Sequence, residues 1–187
     1  MIVEPLNLPG CLRLIPKTVH DTRGAFIKPF VEAEYKSLKL PTTFAEEYYT
    51  RSVKNVLRGM HYQTPPYEYS KFVSCLYGRI RDVIIDLRLG SPKFKIFEVI
   101  ELDDRNDDVL YLPPGIAHGF LVLSEMAVVT YKVTSAHAPA KDTGVRWDSI
   151  GMDWEVEIPI VSPRDASFQG LAEFESPFLY QPEEIFP

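Results

Sequence analysis

The residues with chemical reach gather in "NVLRGMHYQTPPYEYSK", residues 55–71. His61 follows Arg58 by three positions and precedes Lys71 by ten, with Gln63 between them. An imidazole exchanges a proton near neutral pH, and a guanidinium grips phosphate as a fork. An ammonium stabilises negative charge as it develops. Together they could take a proton from an anionic substrate. From these residues alone two other readings stay open: a metal site, or a strand histidine satisfied by a backbone partner.

The four histidines are His20, His61, His118 and His137. They share no H-x-H or H-x-x-x-H spacing, so no local metal motif is present. Downstream, "LPPGIAHGF" carries His118, "VVTYKVTS" carries Tyr131 and "SPRD" carries Arg164 and Asp165. Each has a plain structural reading as a turn, a core tyrosine or a solvated charge. What distinguishes them is their order.

These groups must be held by strands. In "RDVIIDLR", Val83, Ile85 and Leu87 alternate with Asp82, Ile84, Asp86 and Arg88, which predicts a strand with one half-solvated face. "KIFEVIEL", "DVLYLP", "HGFLVLSE" and "AVVTYKVTS" are further β-branched or aromatic runs, separated by turn signals such as "LGSPK" and "LPPG". One helix is expected at "VEAEYKSLKL". The pattern implies an all-β fold, an antiparallel barrel or double-sheet jelly roll with a few short peripheral helices. Residues 1–187 read as a single domain, with the proline-rich stretch from about Val156 wrapping the barrel.

A formal net charge of -6 argues against nucleic acid or an anionic membrane as partner. No apolar run approaches the roughly 20 residues of a membrane span. Cys11 and Cys75 form neither a C-x-x-C pair nor a disulfide framework, so a reduced, cytoplasmic setting is expected. The N-terminus, broken by Glu4, Pro5 and Pro9, does not read as a signal peptide.

In order, "DTRGAF", "VLRGMHYQ", "DLRLGSPKF", "LPPGIAHGFLVLSE", "YKVTSAHAP", "GVRWDSIGMDW" and "SPRD" resemble the dTDP-4-dehydrorhamnose 3,5-epimerase family over most of the chain. The resemblance implies a metal-free jelly-roll barrel of the cupin type, a homodimer, no cofactor, and a nucleotide-linked 4-keto-6-deoxyhexose as substrate. It also implies a sugar made for cell-surface polysaccharide. By resemblance His61 is the base, Asp165 its carboxylate partner, Tyr131 the opposing acid, and Lys71 the cation at the ketone oxygen. His118 lines the sugar pocket. Arg23 and Arg58 match the arginines that hold the diphosphate. Phe26, Gln63 and Arg164 fall with the substrate-binding positions. Three departures stand out: Lys28 where the family usually has glutamate, Glu46 and Tyr48 in place of an amide pair, and Ala136 and His137 in place of two aromatics. All are expected near the nucleotide. A 3,4-ketoisomerase and a non-catalytic sugar-nucleotide-binding barrel are the alternatives.

Overall fold

The β-branched and aromatic runs pair antiparallel into two facing sheets. The computed structural model describes residues 1–182. The first part comprises β1 (Ile2–Pro5), β2 (Leu12–Ile15), β3 (Thr18–Asp21), β4 (Gly24–Ile27), α1 (Glu32–Ser37), β5 (Glu46–Val53) and β6 (Leu57–Gln63). The middle holds β7 (Lys71–Tyr77), β8 (Arg79–Asp86), β9 (Arg88–Leu89), β10 (Phe97–Asp103), β11 (Val109–Leu112), β12 (Ile116–Val122) and β13 (Met126–Val133). The chain closes with β14 (Asp142–Gly144), a 3-10 turn at Trp147–Ser149, α2 (Pro163–Ala166) and β15 (Phe178–Leu179).

One sheet has the order β1-β2-β11-β7-β13-β5 and the other β10-β8-β12-β6-β14. The interleaving of early and late strands is that of a jelly roll. Val73, Leu110, Val129 and Tyr131 of the first sheet meet Ile80, Ile84, Ile116 and Phe120 of the second. Hairpin β3–β4 stands apart as its own two-stranded unit.

The β8 alternation is real, but its expected half-solvated face is not. Ile80 and Ile84 point between the sheets. Val83, Ile85 and Leu87 point outward, where Trp154, Leu171, Phe174 and Phe178 cover them. Asp82 and Asp86 are both fully buried. Asp86 is satisfied by Arg88 and Ser91. The reason is tertiary: the opposing sheet closes one face and the C-terminal segment the other.

Helix α1 is shorter than expected, because Lys39 adopts φ 55° and turns the chain. Strand β10 likewise begins two residues late, after Lys95 at φ 61°.

Candidate active site

His61 on β6 and His118 on β12 face each other directly in the antiparallel register. Two glycines permit this. Gly59 has φ +145°, a region disfavoured for other residues. A Cβ on it would lie 2.5 Å from the Gly119 Cα, and one on Gly119 would lie 2.8 Å from the Arg58 carbonyl oxygen. The strands thus approach closely where their register shifts, between His118 and Phe120. The Gly59 N–H leaves the ladder and donates to Asp165 Oδ2 at 3.1 Å.

Asp165 is set by the "SPRD" turn. The Ser162 hydroxyl accepts the Asp165 N–H at 3.1 Å, and Pro163 opens α2. This is a serine N-cap with proline at the first helical position. Asp165 Oδ2 then lies 3.0 Å from His61 Nε2. The ring nitrogen is not aligned on that oxygen, so the contact is a close approach rather than a well-formed hydrogen bond. Catalytic contacts commonly tighten only with substrate bound. Burial pushes the Asp165 carboxyl up, but His61, the Gly59 amide and Ser162 outweigh it and hold it below the usual value. With Nε2 turned to Asp165, Nδ1 is the nitrogen left to act as a base.

The opposite sheet supplies Lys71 and Tyr131. In the β7–β13 register, Val73 pairs with Tyr131 and Lys71 with Val133. Lys71 is 5% exposed. Burial lowers its pKa to about 8, while Asp82 and Asp142 oppose the fall. Burial drives the Tyr131 phenol well above its ordinary value, with Asp82 and Tyr48 adding to the effect.

A cavity of about 390 Å³ opens between the sheets. His61, His118 and Arg58 line it from one side, and Lys71, Tyr131, Tyr48 and Glu46 from the other. An imidazole and a buried phenol therefore face one space from opposing sheets. Among the described residues no cluster of His, Cys, Asp and Glu is arranged to hold a metal ion, and no helix is long and apolar enough to cross a membrane.

The sequence profile of the dTDP-4-dehydrorhamnose 3,5-epimerase family matches residues 5–173. The dTDP-4-dehydrorhamnose 3,5-epimerase of Escherichia coli (strain K12) is 38% identical, over 88% of this chain and 91% of that protein. The dTDP-4-dehydrorhamnose 3-epimerase of Streptomyces niveus is 34% identical, over 92% and 85%. The dTDP-6-deoxy-D-glucose-3,5-epimerase of Legionella pneumophila Philadelphia 1, solved with dTDP-4-keto-L-rhamnose, superposes with a TM-score of 0.90. It is 33% identical, and the match covers 96% of this chain and 98% of that one. The chain belongs to the dTDP-4-dehydrorhamnose 3,5-epimerase family. It is an epimerase, an enzyme of the isomerase class.

Within this family frame, not every expected residue reaches the cavity. Arg23, Phe26 and Lys28 lie on or just after hairpin β3–β4. Arg23 pairs with Asp21 in solvent. Phe26 is 63% exposed, and the Lys28 ammonium lies 5.9 Å from its ring. Lys28 thus does not join Glu46, Tyr48 and His137, because the hairpin carries it away from this chain's own cavity. Gln63 lines the cavity, but its amide is committed to the backbone. Nε2 donates to the carbonyls of Tyr67 and Ala136, and Oε1 accepts from the Ala138 N–H. Ala136 contributes that carbonyl. Arg164 is half-exposed and pairs with cavity residue Asp142 at 2.8 Å. The Glu46 carboxylate accepts the His137 N–H at 2.9 Å, which joins two of the departing positions.

Sequence reasoning missed Asp82. Its Oδ2 lies 2.7 Å from His118 Nε2, and the pair is wholly buried. Burial lowers the His118 pKa, and Asp82 works against that. The signal was the β8 alternation, which set Asp82 on one face with Ile84. Reading that face as half-solvated hid its place beneath the cavity.

Proposed function

We propose that this cavity binds a nucleotide-diphospho-4-keto-6-deoxyhexose and inverts carbon 3, carbon 5 or both. The relatives' substrates, named in dTDP form, point to that class. His61 removes the proton next to the ketone, with Asp165 fixing the tautomer and stabilising the imidazolium that forms. Negative charge passes to the ketone oxygen. Lys71, mostly protonated at neutral pH, answers it from a buried position where a charge acts strongly. Tyr131 then returns a proton to the opposite face of the enolate. Its raised pKa keeps it protonated until a strongly basic carbon meets it. Arg58, exposed at the cavity, suits the diphosphate.

The working unit in this reading is a homodimer. Arg23, Phe26 and Lys28 are remote from their own cavity on an exposed hairpin, so they reach substrate only from a second copy. We place the protein in the cytoplasm, a setting in keeping with its two free, buried cysteines. One observation carries the reading: the His61–Asp165 pair and Tyr131 line one cavity from opposing sheets. Incubation of candidate 4-keto sugars in deuterium oxide tests it. Deuterium at carbon 3 or carbon 5, with inversion, is the expected result. Movement of the carbonyl without inversion would point to a ketoisomerase, and binding without exchange to a passive barrel.

A further inference from the structure

We propose that Tyr48 is a positioning residue that braces the Tyr131 ring for proton return. The inference rests on the epimerase reading above. Tyr48 on β5 lies directly opposite Tyr131 on β13, so both side chains stand on the same face of the sheet. Their rings stack with centroids 4.9 Å apart and planes 20° from parallel. On another side the His118 ring meets Tyr131 edge-on, at 5.9 Å and 71°. Tyr131 is thus held between one ring from its own sheet and one from the facing sheet.

The chemistry makes this brace matter. A proton reaches a carbanion-like carbon only when the phenol oxygen is in line and close. A ring that swings spends part of its time out of line. Tyr131 sits next to β5, which among the described residues is the outermost strand of the sheet. Tyr48 backs the ring from that strand. An aromatic stack of this kind is worth a factor of about five in the population of the held conformer. The contact with Tyr131 is ring on ring, so the inference names the Tyr48 ring and not its hydroxyl.

Bracing affects proton return and not proton removal, so the two must separate. Tyr48→Ala and Tyr48→Phe are compared with wild type on a dTDP-linked 4-keto-6-deoxyhexose in deuterium oxide. Exchange is read by mass spectrometry and inversion by proton NMR. In Tyr48→Ala the ratio of inversion to exchange falls about fivefold, with kcat for inversion affected more than KM. Tyr48→Phe, which keeps the ring, holds the ratio within roughly twofold of wild type. Tyr48→Leu carries the same expectation as Tyr48→Ala and replaces it should that variant not fold. An unchanged ratio in both ring-less variants overturns the inference alone. Equal loss in Tyr48→Phe and Tyr48→Ala also overturns it, and assigns the role to the hydroxyl. No exchange by wild type on the dTDP-, CDP-, GDP- and UDP-linked forms of the sugar overturns the epimerase reading, and the brace with it.

Discussion

Lys71 gives the most quantitative expectation. Its pKa falls from 10.5 to about 8 because its ammonium is buried. That drop corresponds to about 3 kcal/mol held against the charged form. The unfolded chain keeps the lysine proton up to about 10.5, while the folded chain gives it up at about 8. Between those values the unfolded state binds more protons, so stability rises with pH. The penalty is present in full below pH 8 and gone above 10.5. Lys71→Met has no such term. Urea unfolding of both proteins at pH 7 and pH 10.5 should show their stability difference moving by about 3 kcal/mol toward wild type. The catalytic counterpart runs the other way, because the reaction needs the ammonium. Wild-type kcat/KM should fall above pH 8. A stability difference flat in pH, or a rate constant level through pH 9.5, refutes the assignment of a buried, charged Lys71 to the ketone oxygen.

His61→Ala should abolish solvent exchange while nucleotide binding persists, measured by deuterium uptake and calorimetry; normal turnover sinks the base assignment. Tyr131→Phe should cut inversion by roughly a hundredfold or more yet leave exchange measurable, and equal loss of both would undo the division of roles. Asp165→Asn should lower kcat by at least roughly tenfold by removing the charge behind His61. It should also weaken the acid sensitivity of stability. The Asp165 contribution is complete above its unfolded value near 3.8 and is lost as pH falls through the lower folded value. Calorimetric titration should rank CDP or GDP above dTDP, because the Glu46 carboxylate accepts hydrogen bonds and favours a base edge rich in N–H donors. Tightest binding to dTDP shows that Glu46 does not select the base.

The sequence was most informative where chemistry and local geometry coincide. The pairing of His61 with Asp165 comes from the family resemblance, and the "SPRD" cap explains how it is built. Strand β8 was legible from its alternation, but the environment of its faces was not. Whether Asp82 meets water or His118 depends on which sheet closes over it, and that is a tertiary fact. Gln63 shows the same limit in reverse. Its type and position suit a ligand contact, while the loop at Ala136–Ala138 consumes its hydrogen-bonding capacity. Arg23, Phe26 and Lys28 were placed at the substrate by motif, yet the hairpin's direction is set by no local pattern.

The placement of β5 at the rim of its sheet has an evolutionary consequence. Glu46, Tyr48 and Thr50 all project from this strand into the cavity, whereas Lys71 and Tyr131 stand on strands paired along both sides. Side chains on β5 can change while the interior ladders that carry Lys71 and Tyr131 stay in register. In the proposed reading selectivity and catalysis meet on this strand: a change at Glu46 alters the carrier site, whereas a change at Tyr48 also reaches the ring of Tyr131. On that reading, a lineage that rewrites the outer strand for a new carrier must keep an aromatic ring at position 48.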